Sequence, residues 1–198
     1  MKTKGYCIAL LFLFLLSGCQ QSLETGDQTN SESQLYAAAD NYFNAEQTWE
    51  LEETKQILQA LCNLNAEKTD SLGYLLGQIS AMLTRTDAYH TLLLCVPEET
   101  VQQMMSSAQS DAYQRYTTAR REFLEAILAR QDSPELTNSA SSFRSALPAL
   151  LEQFDQVDLS LREVRALGES GEAALAHYYE GLTNVSSQMH TAAALLRE

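Results

Sequence analysis

The amino-acid sequence predicts an all-α protein, an up-and-down bundle of four to five long amphipathic helices. Apolar residues recur at helical spacing over stretches of roughly 20 to 34 residues, and no stretch alternates as a half-buried strand does. Only three prolines occur in 198 residues. The helical stretches are joined by short connections, which favours antiparallel neighbours.

The first 18 residues have the order of a cleavable secretory signal. Lys2 and Lys4 provide a positive start, and an apolar run of about ten residues ends at Leu16. A run of this length is too short to span a bilayer, which takes about 20 apolar residues. Residues 1–18 are therefore predicted to be a signal peptide.

The signal ends in Leu16-Ser17-Gly18-Cys19, which resembles the lipobox of bacterial lipoproteins. That resemblance implies a diacylglycerol on the Cys19 sulfur, cleavage before Cys19 and acylation of the new amino group, with palmitate as a typical chain. Such a lipid is a stable membrane anchor. Residue 20 is Gln, whereas enterobacterial lipoproteins that stay in the inner membrane have Asp there, so the resemblance implies the outer membrane, facing the periplasm.

The charge of the mature chain limits its partners. Removing residues 1–18 leaves 11 of the 13 basic residues against 26 acidic ones, a net charge of −15. So acidic a protein lacks the footprint for nucleic acid, and anionic headgroups would repel it. The membrane is therefore expected to be contacted through the lipid alone.

Residues 19–33 are predicted to be the lipidated cysteine and a flexible polar tether, and residues 34–198 the bundle domain. The first helix is expected to start near Ser31 or Ser33, because Ser31 and Gln34 have capping-box spacing. The predicted apolar face of this helix comprises Leu35, Ala38, Tyr42, Ala45, Trp49, Ile57, Leu58, Leu61 and Leu64. The acidic residues of its middle part are interpreted as a solvated face.

The remaining helices follow from the same spacing. In the second, Gly73, Gly77 and Ala81 form a stripe expected to let another helix approach closely. The third is predicted to run from Pro97 to Ile127 as one helix, and Pro148 is expected to kink or restart the fourth. The last has apolar residues at perfect sevens, namely Leu175, Leu182, Met189 and Leu196.

Two cysteines remain after the anchor, Cys62 and Cys95, and an oxidising compartment favours a disulfide between them. A straight second helix would separate them by about 39 Å, whereas a disulfide needs Cα atoms within about 7 Å. The bond is therefore predicted together with a helix break between Thr84 and Tyr89, after which residues 88–95 would fold back as a short helix.

The candidate metal ligands are weak. His177 and Glu180 are spaced to share a helix face, and this H-x-x-E is similar to the motif of imelysin-like periplasmic proteins, which implies metal binding. It departs from that motif because Leu175 stands where those proteins have glycine. No haem, zinc or ferritin-like pattern is present, so no metal or other cofactor is predicted.

No nucleophile elbow, S-x-x-K motif or phosphate loop occurs, so the chain is predicted not to be an enzyme and to have no catalytic residues. The favoured function is a non-catalytic envelope lipoprotein that docks onto or stabilises a larger assembly through a protein partner. Its candidate docking residues are Tyr113, Tyr116, Tyr178 and Tyr179, although tyrosines of this kind more often lie at the edge of a core. The alternative is a periplasmic metal- or small-ligand-binding protein centred on His177 and Glu180.

Overall fold

A computed structural model describes residues 28–64, 69–167 and 171–197, and in these ranges it contains helices and no strand. In chain order the helices are α1 (Gln28–Asn63), α2 (Thr69–Leu83), α3 (Ala88–Cys95), α4 (Glu98–Met104), α5 (Ser107–Ala129), α6 (Pro134–Thr137), α7 (Ser142–Leu167) and α8 (Glu172–Arg197). The predicted all-α fold is confirmed. Contacts divide the chain after Leu35, and the packing described below is that of the unit that begins at Tyr36.

Helices α2 and α3 together run antiparallel to α1. Arg85, just after α2, forms an ion pair with Glu53 of α1. Further along, Thr91 of α3 lies near the Tyr42 hydroxyl, eleven residues earlier in α1 than Glu53. Residue numbers therefore rise along α2 and α3 as they fall along α1.

Helix α5 runs parallel to α1. The Tyr113 hydroxyl donates to the Glu50 carboxylate. About two turns further along α5 and one turn further along α1, the Arg120 Nε donates to the Thr54 hydroxyl at 2.8 Å. Helices α2 and α3 make the return that this parallel arrangement requires.

Helix α7 is antiparallel to α1, and charged groups near its start and its middle hold it there. Near its middle, Asp155 pairs with Lys55 at 2.6 Å. In its first turn, Arg144 donates to the backbone oxygen of Leu64 at 2.8 Å and to that of Cys62 at 3.0 Å. The guanidinium thereby satisfies carbonyl groups at the C-terminal end of α1, which have no partner inside that helix.

Helix α8 runs parallel to α5, because His190 lies 3.1 Å from Glu122 and Arg130 donates to the backbone oxygen of Arg197 at 2.9 Å. The long helices α1, α2, α5, α7 and α8 thus alternate in direction. Two ends result: the entry end, where the chain arrives at Tyr36, and the far end, which contains the C-terminal turns of α1, α5 and α8.

The seven-residue stripe of α8 forms part of the core, with Leu182, Met189 and Leu196 buried and Leu175 half-buried. The predicted face of α1 is correct after Ile57 but displaced by about one residue before it. Ala38, Ala45 and Trp49 are exposed, while the buried residues there are Ala39, Phe43, Gln47, Glu50, Leu51 and Thr54.

Several helix boundaries differ from the prediction. Helix α1 begins at Gln28, so residues 28–33 of the predicted tether are helical. The helix expected to run on from Pro97 ends at Met104, because Ser106 and Gln109 form a capping box that starts α5. Helix α7 starts at Ser142 and continues through Pro148, where a restart was considered.

The predicted break in the second helix is present, and Asp87 caps α3 by accepting from the His90 N–H at 3.0 Å. The predicted disulfide is not formed, since Cys62 and Cys95 are both free. After the break α3 does not fold back but continues along α1, so that Cys95 lies beside Tyr42. Tyr42 is 20 residues before Cys62 on one helix, a rise of about 30 Å, far beyond the reach of a disulfide.

Candidate functional site

The weak metal candidates lie on an exposed face. His177 and Glu180 are both exposed on α8, and no group of three His, Cys, Asp or Glu residues placed to hold a metal ion occurs in the described parts of the chain. Protein zinc sites take at least three protein ligands. The structure therefore adds no third ligand to this pair.

The tyrosines predicted to form a docking surface are core residues instead. Tyr113 and Tyr116 are fully buried, Tyr178 is 1% exposed, and Tyr179 is half-buried. Their rings fill the space between α1, α5, α7 and α8, where Tyr116 packs against Phe154 of α7. The docking hypothesis is therefore wrong for the buried tyrosines, and the alternative that they belong to the core is correct, because helix packing turns this face of α5 and of α8 inward.

A buried carboxylate stands at the centre of the tyrosines. Glu50 is only 6% exposed. One of its oxygens accepts from the backbone N–H of Ala88, the first residue of α3, at 2.8 Å, and the other accepts from the Tyr113 hydroxyl. Glu50 therefore joins the α2–α3 break, α5 and α1 at one point.

A second polar link lies one turn further along α1. The Thr54 hydroxyl donates to the Glu50 backbone oxygen at 2.7 Å and accepts from the Arg120 Nε at 2.8 Å. Arg120 is 8% exposed, and its guanidinium also lies 3.9 Å from the Glu53 carboxylate. The positive charge of Arg120 is thus held next to two carboxylates of α1.

Burial shapes the protonation of this cluster. Desolvation raises the pKa of Glu50, which Arg120 and the hydrogen bonds from Tyr113 and Ala88 partly oppose. Desolvation, and then the Glu50 charge, hold the pKa of Tyr113 well above its usual range, and burial raises the pKa of Tyr116 to about 12. Both tyrosines therefore stay protonated at neutral pH, and Tyr113 donates to Glu50.

This arrangement has the features of a buried polar cluster that links helices. Perturbed carboxylates and tyrosines are typical of active sites, but a reactive group must be within reach of a substrate. Neither of the two grooves described below is lined by Glu50, Tyr113 or Tyr116. What the cluster does is to fix the α2–α3 break against α1 and α5.

The spacing of residues in the sequence indicated that Glu50 is buried, whereas its charge suggested that it is exposed. Phe43, Gln47, Glu50, Thr54 and Ile57 are spaced by alternating four and three residues, and all five are buried. Because the acidic run around residue 50 was interpreted as a solvated face, this stripe was missed. A polar stripe with heptad spacing that continues an apolar one indicates a buried network.

An open groove of about 450 Å³ lies between α1 and α2. Its lining residues are Glu53, Gln56, Ile57, Gln78, Ala81, Met82, Thr84 and Arg85. At one end Trp49, 48% exposed, stacks on the Arg85 guanidinium at 4.1 Å from the ring centroid. Arg85 is thereby held between an aromatic face and the Glu53 carboxylate.

The outer face of α2, continued to Thr84, is exposed and uncharged. Its exposed residues between positions 71 and 84 are Ser71, Gly73, Tyr74, Gly77, Gln78, Ser80, Ala81 and Thr84. Tyr74 is 72% exposed, and an added Cβ at Gly73 or Gly77 would meet nothing within 4 Å. The expectation that this small-residue stripe packs closely on another helix of the bundle is therefore wrong. We call the surface formed by these exposed residues the α2 outer face.

A shallower groove of about 330 Å³ lies where α5 faces α8. Its lining residues are Asp111, Gln114, Arg115, Thr118 and His190. His190 is 47% exposed and pairs with the equally exposed Glu122. Exposed pairs of this kind contribute little free energy, so this groove has the features of ordinary surface.

Cys19 and the rest of the predicted signal lie outside the described residues. None of the described helices is both long enough and apolar enough to cross a bilayer. No known family, no curated protein and no solved structure matches this chain. The fold and site thus define a class, an all-α bundle with a buried polar cluster that links its helices.

Proposed function

We propose that the protein is a non-catalytic lipoprotein of the bacterial cell envelope, anchored by acyl chains on Cys19 and serving an envelope assembly as an interaction or stabilising component. The observation that carries the anchor is the order of positive residues, apolar run and Leu16-Ser17-Gly18-Cys19. Gln20 in place of Asp favours the outer membrane, with the bundle facing the periplasm.

The interaction role has a surface to support it. In a mature chain with a net charge of −15, the α2 outer face presents no charged residue between positions 71 and 84. Interface cores are depleted in charged residues and enriched in tyrosine, and Tyr74 stands in the middle of this face. Gly73 and Gly77 leave room for a partner backbone. We propose that a helix of an envelope protein, apolar and uncharged on its contacting side, packs here.

The anchor is tested by Cys19→Ser. A serine oxygen cannot form the thioether, so the variant should remain an uncut precursor that incorporates no palmitate, whereas the wild-type protein should be labelled and begin at residue 19. Density fractionation of the wild-type protein should place it in the outer membrane. A variant still cut before residue 19 and still labelled would refute the anchor.

The partner surface is tested by photo-crosslinking in living cells. A photoreactive phenylalanine at position 74 should give a defined crosslinked product, and one at position 159 should not, although Leu159 of α7 is also exposed. Gly77→Glu, which puts a charge on the α2 outer face, should abolish the product. Identical products from positions 74 and 159, or a product unaffected by Gly77→Glu, would contradict the surface.

The metal-binding alternative has no observation of its own. His177 and Glu180 are a two-residue pair on an exposed face, fewer than the three protein ligands of even an open zinc site. The envelope role is therefore the function that the chain supports best.

A further inference from the structure

Two adjacent leucines are exposed where α3 ends. Leu93 is 42% exposed and Leu94 81% exposed, and Cys95 after them is exposed as well. The other exposed large apolar side chains of the described residues, those of Trp49, Tyr74 and Leu159, are not next to one another in the chain. A single exposed leucine is ordinary, but an adjacent pair at a helix end needs an explanation.

The leucine pair lies at the entry end of the bundle. Thr91 and Cys95 both lie near the Tyr42 hydroxyl, and the start of α3 is held at Glu50 by the Ala88 N–H. Tyr42 is six residues after Tyr36, about 9 Å along α1. The two leucines are therefore beside the point where the chain arrives from Cys19.

We propose that Leu93 and Leu94 insert into the lipid bilayer next to the anchor, so that the protein touches the membrane at a second point. This inference rests on the proposed acylation of Cys19. Tyr36 follows Cys19 by 17 positions, so the length of the intervening chain limits how far the bundle can move from the acyl anchor. Tethering makes the second contact intramolecular, so even a weak apolar contact is occupied.

The charges nearby determine which membrane is favoured. Glu98 and Glu99, exposed in the first turn of α4, follow the leucines closely. Carboxylates are repelled by anionic headgroups and remain at headgroup level. The insertion is therefore shallow and strongest in zwitterionic lipid, and the contact is not restricted to the acyl chains, as the net charge alone suggested.

The depth of the leucine pair is measured with a single tryptophan. The chain contains one tryptophan, so a Trp49→Phe background leaves none. Leu94→Trp in this background then reports on the surroundings of the leucine pair, which we call the lipid-binding tip. The acylated protein is placed in phosphatidylcholine vesicles with or without brominated acyl chains. Because the side chain reaches the acyl boundary, bromine should reduce its emission about twofold.

Tyr74→Trp in the same background is the matched control. Tyr74 is 72% exposed, nearly as much as Leu94, but it lies toward the far end of the bundle. Its emission should not respond to brominated lipid. Leu93→Ser should lessen the quenching of Leu94→Trp, and Leu159→Ser should not. Equal quenching at positions 94 and 74, or none at 94, would overturn the inference, as would a blue shift at 94 that appears without vesicles and grows with protein concentration.

A lipid conjugate separates this inference from the anchor. Residues 19–198 with Cys62 and Cys95 replaced by serine are coupled through Cys19 to a maleimide lipid and measured in the same vesicles. Quenching at position 94 in the conjugate, together with an unacylated natural protein, would refute the proposed anchor and retain the lipid-binding tip. No quenching in the conjugate would refute the tip, whatever the natural protein carries.

Discussion

The Tyr113 hydroxyl of α5 donates to the buried Glu50 carboxylate of α1, and the backbone N–H of Ala88 donates to the other oxygen of the same group. Tyr113 is fully buried, so no water replaces its hydroxyl when it is removed. This relationship explains why the chain can break between α2 and α3: the first N–H of α3 has a partner outside its own helix.

Removing the Tyr113 hydroxyl should therefore be costly. Tyr113→Phe retains the ring but leaves one Glu50 oxygen unsatisfied, and the free energy of unfolding should fall by about 1–3 kcal/mol. Urea denaturation at pH 7 measures the change. Tyr74→Phe is the control, since Tyr74 is on the surface and its hydroxyl accepts only from the exposed Gln78; it should change stability by less than about 0.5 kcal/mol. Equal effects would mean that Glu50 is not held by Tyr113.

The pH dependence of stability should carry a signature of Glu50. Burial raises its pKa from the usual 4.5 in the folded protein, so between the two values the folded state binds more protons than the unfolded state. Stability from this group is thus full below pH 4.5 and is lost as the pH rises through the raised pKa.

Comparison with Glu50→Gln isolates this term, because the other carboxyl groups titrate in both proteins. The melting temperature of the wild-type protein relative to the variant should decline as the pH rises from about 4.5. A difference that is flat with pH, or that grows in favour of the wild-type protein, would show that Arg120, Tyr113 and Ala88 offset the desolvation of Glu50 completely.

The sequence predicted the periodic parts of this protein and missed those that depend on particular partners. The seven-residue spacing of apolar residues predicted the buried face of α8, and Asp87 predicted the start of α3. Both predictions succeeded because they depend on neighbouring residues in the chain. The disulfide prediction was wrong because the path of α3 after the break depends on the hydrogen bond from the Ala88 N–H to the Glu50 carboxylate. That bond joins positions 38 residues apart, which spacing does not reveal.

The same reasoning explains the candidate surfaces. Tyrosine is equally suited to a core edge and to an interface, so composition could not decide whether Tyr113 and Tyr116 are buried. Gly77 shows the opposite outcome: its stripe predicted close packing inside the bundle, yet none of the described helices covers it. In both cases the arrangement of the five long helices determines whether the residue is buried or exposed.

Arg144 should be essential to the far end of the bundle. Its guanidinium donates to the backbone oxygens of Cys62, Leu64 and Leu136, and the residue is 9% exposed. Arg144→Met retains much of the side-chain volume but leaves these carbonyls without the donor, so a loss of about 3 kcal/mol is expected in urea. Arg162→Met, which removes an exposed pair with Asp158, should cost under about 1 kcal/mol.

Two glycines should respond in opposite directions to the same change. A Cβ at Gly181 would lie 2.9 Å from the Val157 side chain, which is buried. Gly181→Ala should therefore destabilise the protein by about 1–3 kcal/mol through overpacking. Gly77→Ala meets nothing and should stabilise it by up to about 1 kcal/mol through helix propensity. Val157→Ala should remove most of the penalty of Gly181→Ala in a double variant, and purely additive effects would contradict the close contact.

The two thiols should be free and should react at different rates. Cys95 is exposed, whereas Cys62 is half-buried and burial raises the pKa of its thiol, with Arg144 only partly opposing. The thiolate is the reactive form, so at pH 8 a disulfide reagent should modify Cys95 first and Cys62 in a slower phase. Cys95→Ser should remove the fast phase alone, and Cys62→Ser the slow one. Peptide mapping without reductant should show both cysteines unpaired, and a linked Cys62–Cys95 peptide would mean that α3 folds back on the far end of α1 instead of continuing toward Tyr42.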